Sequence, residues 1–222
     1  MTTARDLMII ALHTEPGRSV EHGDFSLAVA GAEVIDLIRA GAVALDGDRI
    51  VPGTPTAHGD SLQDQAAESV VRERPYESVD DWLWRRGRGL STAYLAALEA
   101  DGLLSRPRRR GLTFRSRRVE PADSPALRDA LGRWVSGEPV LVALATAVRI
   151  RREGTADHAG AGADADADAQ AEPESGADVP STGDDAVDTV LAAVYGSLTE
   201  LEALRQRRAI EQAAFDNVWR GE

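Results

Sequence analysis

The stretch from Glu153 to Asp188 carries eleven acidic residues and neither lysine nor arginine, with Ala and Asp alternating from Ala163 to Ala169. Carboxylates at this density repel one another. The alanines between them bury too little apolar surface to offset the entropy lost on ordering. Such a segment reads as disordered linker, and it limits what the rest of the chain can build. Any core must form before it, from about Thr3 to Glu153, with 154–186 as the linker. Helical periodicity resumes beyond it. Val190, Leu191, Val194, Leu198, Leu201 and Leu204 form an apolar stripe, followed by Arg205, Arg207 and Arg208. The stripe spans barely two heptads, so 187–219 is expected to be a helix docking back on the domain rather than a coiled-coil partner.

With 222 residues and 43% hydrophobic content, one globular domain plus a tail is the natural expectation. Aromatic content is only 5%, so the core must come mainly from Leu, Ala, Val and Ile. There is no cysteine, hence no disulfide and no thiolate metal site, which fits a reducing cytoplasm. Met1 to Asp6 lacks the basic start and long apolar run of a signal peptide. No segment approaches the ~20 apolar residues that span a bilayer, so membrane contact is expected to be peripheral. All 25 basic residues are arginine, which with abundant Ala, Gly and Asp suggests a GC-rich, bacterial genome.

Along the body, Leu7 to Leu12 is a short apolar helix or strand, broken by Pro16 and Gly17. Phe25 to Leu37 reads as a helix reaching about Ala40. Ala42 to Val51 alternates around Asp46-Gly47, a hairpin signal. Ser61 to Val71, Val79 to Trp84, Pro125 to Trp134 and Val140 to Arg151 read as further helices. The fold class is therefore mainly α: a single helical domain with protruding β-hairpins, a disordered acidic linker and a C-terminal helix.

Trp82 to Arg118 holds ten arginines against two acids, Glu99 and Asp101, in a chain of net charge −12. So uneven a distribution points at an anionic partner. Ser91 is placed to cap a helix with Tyr94, Leu95 and Leu98 on its apolar face, ended by Asp101-Gly102. Leu103 and Leu104 start a strand, Pro107 to Gly111 turn the chain and Leu112 to Phe114 return it. The unit is a helix followed by an arginine-tipped hairpin.

Signs of chemistry are sparse. Gly59-Asp60-Ser61-Leu62 matches a short serine-hydrolase signature, but the downstream D-x-x-H block that would supply the base is missing. Ser61 reads instead as a helix N-cap. Asp164, Asp166 and Asp168 imitate the start of a calcium loop without its glycine or closing glutamate. His13, His22, His58 and His158 show no ligand spacing. No catalytic residue, metal site or cofactor is expected.

The segments D-L-M-I-I-A-L, G-A-E-V-I-D-L-I-R-A-G followed by A-V-A-L, L-A-A-L-E-A-D-G-L-L and D-A-L-G-R-W-V occur in that order. Together they resemble the Golgi phosphoprotein 3-like family of peripheral membrane proteins, over roughly Arg5 to Arg151. The resemblance implies a mostly helical domain with a protruding hairpin, and a ligand, phosphatidylinositol 4-phosphate. In the family's pocket stand a tryptophan, an arginine on the next helix and two arginines three residues apart. The corresponding positions here are Glu21, Ala30, Arg88 and Ser91; a three-residue shift would pair Arg85 with Arg88.

The resulting expectation is a peripheral protein on the inner face of a membrane, cytoplasmic, holding anionic phospholipid or phosphoinositide headgroups through Arg85, Arg86, Arg88 and Ser91. Arginine suits phosphate because its planar fork donates two parallel hydrogen bonds. Arg108, Arg109, Arg110, Leu112, Phe114 and Arg115 of the hairpin would touch the membrane or a second copy in a homo-oligomer. A winged-helix nucleic-acid binder and a protein scaffold are the alternatives. The first is disfavoured because the candidate recognition helix offers no Arg, Asn or Gln for base edges.

Overall fold

The computed structural model describes residues 2–14, 23–54, 59–105, 120–150 and 181–220. Among them are eight helices and two small antiparallel ladders. The linker, apart from its last residues, and the hairpin tip lie outside the described residues.

Helix α2 (Gly23–Arg39) organises the fold. Phe25 through Ile35 are buried without interruption. A helix apolar around its whole circumference belongs inside, and α2 is accordingly packed by α1 (Thr3–Thr14), α4 (Val79–Arg86), α5 (Leu90–Ala100), α7 (Pro139–Ala147) and α8 (Asp185–Arg220). The segment Leu7 to Leu12, open between helix and strand from sequence, is helical. The first free N–H groups of α1 find their partner on α2: Asp36 Oδ2 accepts from Thr3 N at 2.7 Å and Ala4 N at 3.4 Å.

The first hairpin pairs β1 (Val43–Asp46) with β2 (Arg49–Pro52). Its register is Val43↔Pro52 to Asp46↔Arg49, so the two turn residues are Gly47 and Asp48, one place later than Asp46-Gly47. Gly47 has φ +60°, and Asp48 is not among the positive-φ residues, the type II′ pattern. Ile50 N–H donates to Glu77 O at 2.9 Å, and Val79 N–H to Asp48 O at 2.9 Å, which ties this hairpin to the start of α4.

Three other expectations need correction. Helix α3 (Ser61–Ser69) is capped by Asp60, whose Oδ1 accepts from Leu62 N at 3.0 Å and Gln63 N at 3.3 Å; Ser61 is its first residue and lies exposed. Ser91 does not cap α5: Gly89 does, at φ +69°, with no side-chain hydrogen bond of its own. In the second ladder, β3 (Leu104–Ser105) pairs with β4 (Glu120–Pro121), so the partner of Leu104 is Pro121 rather than a residue of 112–114. The expected ends of α5 at Asp101-Gly102 and of α6 (Pro125–Ser136) hold, the latter capped at Ser124 and closed by Gly137 in the left-handed region. Helix α7 is shorter than expected, leaving helical geometry at Val148.

Helix α8 lies antiparallel on α2: Val194 packs at Gly31, and Leu201 faces Gly23. Val187, Val190, Leu191 and Val194 join the core. A side chain at Gly31 would overlap Val194 Cγ2, so the missing Cβ is what lets the two helices approach. Gly31→Ala is therefore expected to lower stability by about 1–3 kcal/mol, the usual cost of overpacking. Thermal unfolding checks this; an unchanged midpoint would mean that α8 is not held at this crossing.

Candidate functional site

The helices converge on one buried acid. Glu33 lies in the middle of α2 and is inaccessible to solvent. Arg86, in the last turn of α4, meets it as a fork: Nε donates to Oε2 at 2.8 Å and Nη2 to Oε1 at 2.9 Å. Tyr94 of α5 donates its hydroxyl to Oε1 at 3.0 Å. Arg86 Nη2 also donates to Leu62 O of α3 at 3.1 Å, and Gln63 Nε2 donates to Glu33 O at 3.0 Å. The carboxylate thus ties α2, α4 and α5 together, and α3 joins through Arg86 and the Glu33 backbone carbonyl. Burial pushes the Glu33 carboxyl above its ordinary value, against the opposing pull of Arg86 and Tyr94. The Tyr94 hydroxyl is driven well up, first by burial and then by the Glu33 charge.

The turn from α4 to α5 crosses the first turn of α2. Ser26 and Ser91 share a hydrogen bond at 2.9 Å, and Ser91 N–H donates to Ser26 Oγ at 3.2 Å. Ser26 therefore supplies from α2 a cap that Gly89 cannot give α5. The contact also places the N-termini of α2 and α5 side by side, so the positive ends of two helix dipoles share one pole.

The expected headgroup residues are placed unequally around this turn. Arg88 stands between Gly87 and Gly89, exposed, with no acid partner among the described residues. Arg85 is 43% exposed at its side chain but engaged: its fork donates to both oxygens of Glu77 at 2.6 and 2.7 Å, and Nη2 to Ser69 O at 3.2 Å. It also stacks 5.1 Å from the Trp82 ring centroid. Arg86 is 16% exposed and faces inward onto Glu33. Ser91 is fully buried. Arg86 and Ser91 thus build the support under the turn. Arg108, Arg109, Arg110, Leu112, Phe114 and Arg115 lie outside the described residues, as does Glu21.

The family model for Golgi phosphoprotein 3 (GPP34) matches residues 4–194. The chain belongs to the Golgi phosphoprotein 3 family. No curated protein matches it. The match runs from the first turn of α1 to Val194, so it takes in the part of α8 that packs on α2. At the pocket positions implied by the Golgi phosphoprotein 3 resemblance, Ala30 is fully buried, and its carbonyl accepts from Trp82 Nε1 at 3.2 Å. With Ser91 also buried, Arg88 is the one of these positions described as exposed. The face of α5 turned to solvent presents Thr92, Ala93, Ala96 and Ala100, and so no Arg, Asn or Gln for a bidentate contact to a base edge.

Glu33 and Ser26 were not singled out from sequence, and Tyr94 was read only as a residue of an apolar helix face. The signal for Glu33 was present: an acid inside an otherwise apolar helix must find a cation or a proton.

Removing Arg86 leaves Glu33 buried without its cation. Arg86→Met is expected to cost roughly 3–5 kcal/mol at neutral pH. The pH dependence has a definite sign. With the folded pKa above the ordinary 4.5, the native state holds a proton that the unfolded chain has released, so stability falls as pH rises above 4.5. Arg86→Met removes the opposing pull and steepens that fall. Urea unfolding of both proteins at mildly acidic and neutral pH measures it; parallel pH profiles would contradict the role given to Arg86.

Proposed function

We propose that the protein is a peripheral membrane protein that binds anionic phospholipid headgroups at the pole where α4 ends and α2 and α5 begin. The observation that carries this reading is Arg88: exposed, without an acid partner among the described residues, and set on a glycine-flanked turn beside two helix N-termini. A phosphate there meets a guanidinium fork and the positive ends of α2 and α5, opposed by the negative end of α4. Membership of the Golgi phosphoprotein 3 family supports the class, and phosphatidylinositol 4-phosphate is the headgroup that the resemblance implies. Among the described residues no helix is long and apolar enough to cross a membrane, so the contact proposed is with the bilayer surface. The role is binding rather than catalysis, at the cytoplasmic face.

The headgroup site in this reading is Arg88 first, with Arg85 available only after release from Glu77. Arg86 and Ser91 act beneath it, as supports. The hairpin arginines 108–110 and 115, with Leu112 and Phe114, remain a proposed second contact or an oligomer contact.

Co-sedimentation with vesicles of phosphatidylcholine, alone or with phosphatidylglycerol or phosphatidylinositol 4-phosphate, tests the proposal. Binding is expected to the anionic vesicles only and to weaken with salt. Arg88→Ala should reduce it several-fold, one engaged arginine being worth about 1 kcal/mol at an anionic surface. Arg85→Ala should reduce binding less while lowering stability, because its fork serves Glu77. Equal binding to neutral and anionic vesicles, or an Arg88→Ala protein that binds like the parent with unchanged circular dichroism, would overturn the reading.

A further inference from the structure

We propose that Ser26 is a positioning residue of the headgroup site: from the first turn of α2 it holds both ends of the turn that carries Arg88. This rests on the lipid-binding reading above and extends it to a residue that touches no headgroup itself.

The turn runs from Gly87, which closes α4, through Arg88 to Gly89, which opens α5. Glycines on both sides of one arginine give such a segment little stiffness of its own. Gly89 also has no side chain with which to cap α5. Ser26 supplies what is missing at the far end. Its Oγ accepts from Ser91 N–H at 3.2 Å and lies 2.9 Å from Ser91 Oγ. An N–H group in the first turn of α5 thus finds, 65 positions away, the acceptor that its own N-cap would ordinarily provide.

At the near end the backbone of Ser26 makes the contact. A Cβ added at Gly87 would come 3.3 Å from Ser26 O and 3.4 Å from Leu27 Cδ2, so the chain at Gly87 lies close against that carbonyl. Ser26 is 3% exposed and Ser91 0%, which keeps their hydrogen bonds away from bulk water. One residue of α2 therefore pins Gly87 and Ser91, and the exposed side chain between them is that of Arg88. A guanidinium on a loose turn brings only its charge to an anionic surface. On a turn fixed beforehand, the fork is already placed for a phosphate, and less freedom is lost on binding.

The test uses the full chain and vesicles of phosphatidylcholine with or without phosphatidylglycerol. Ser26→Ala, Arg88→Ala and their double variant form one cycle. Ser26→Ala is expected to bind the anionic vesicles roughly threefold more weakly than the parent, a loss no larger than that of Arg88→Ala. In the Arg88→Ala background it is expected to cause no further loss, because the side chain it positions is gone. Gly31→Ala, which disturbs the fold at the α2–α8 crossing, is the control and is expected to bind like the parent. Circular dichroism checks that each variant is folded. Should Ser26→Ala not fold, Ser91→Ala takes its place in the cycle, since it keeps the N–H bond to Ser26 and loses only the hydroxyl bond. An equal loss from Ser26→Ala in both backgrounds, or an equal loss from Gly31→Ala, would mark a general effect of stability and overturn the inference. Ser26→Ala binding like the parent while Arg88→Ala binds weakly would also overturn it and leave the lipid reading standing. If the parent binds no anionic vesicle, the lipid reading itself fails and the inference goes with it.

Discussion

The carboxylate of Glu33 is the constraint on which this fold turns. It is buried in the central helix and would be untenable there alone, because desolvating an unpaired charge costs several kcal/mol. Arg86 of α4 and Tyr94 of α5 are drawn to it, while α3 joins through Leu62 O, which accepts from Arg86, and through Gln63, whose side chain donates to the Glu33 backbone carbonyl. This fixes where α4 must end, since Arg86 is its last residue. The chain then turns through Gly87 and Gly89 into α5, and Arg88 is left facing out. A buried pair is weak evidence for net stability, but losing one partner is costly because it strands the other charge. The outward direction of the one unpaired arginine in this turn is thus a consequence of the inward direction of its neighbour.

Most of the helical architecture was legible in the sequence because it depends on local chemistry. Apolar spacing, Pro125 at a helix start and Gly102 and Gly137 at helix ends each state their role in the residues themselves. The errors fall where two neighbours compete for one role. Asp60 and Ser61 are both good caps, and only the structure shows that Asp60 holds the free N–H groups. Ser91 looked like a cap because its partner, Ser26, lies 65 residues away and no local pattern announces it. The ladder partner of Leu104 was misplaced for the same reason: the apolar alternation at Leu112 to Phe114 is local, whereas the pairing with Pro121 is not.

The site was less legible, because charge counting gives number but not direction. Arg85, Arg86 and Arg88 stand almost adjacent, yet one is engaged by Glu77, one by Glu33 and one by no described acid. The same use of arginine recurs through the body. Arg133 meets buried Asp6, Arg5 meets Asp60, and Arg39 meets Glu138 at 3.1 Å. Each such pair cancels two formal charges at a helix junction. An arginine in this chain is therefore, more often than its formal charge suggests, a clamp between elements, and the Arg–carboxylate fork is the geometry that makes it a good one.

This bears on how an acidic protein can approach an acidic surface. Thirty-seven acids against twenty-five arginines give the net charge of −12, but eleven of the acids lie in the 153–188 tract, which has no arginine. Outside it, twenty-six acids face twenty-five arginines. The rest of the chain is thus close to neutral, and the overall charge does not by itself oppose an anionic partner. What a surface meets within a Debye length of about 8 Å is the local arrangement. There the internal pairings matter, since acids engaged at helix junctions contribute little field outside. At the α2–α5 pole Arg88 is left exposed, with no acid partner among the described residues. The chain's anionic character is concentrated instead in one tract joined to that body through α7 and α8.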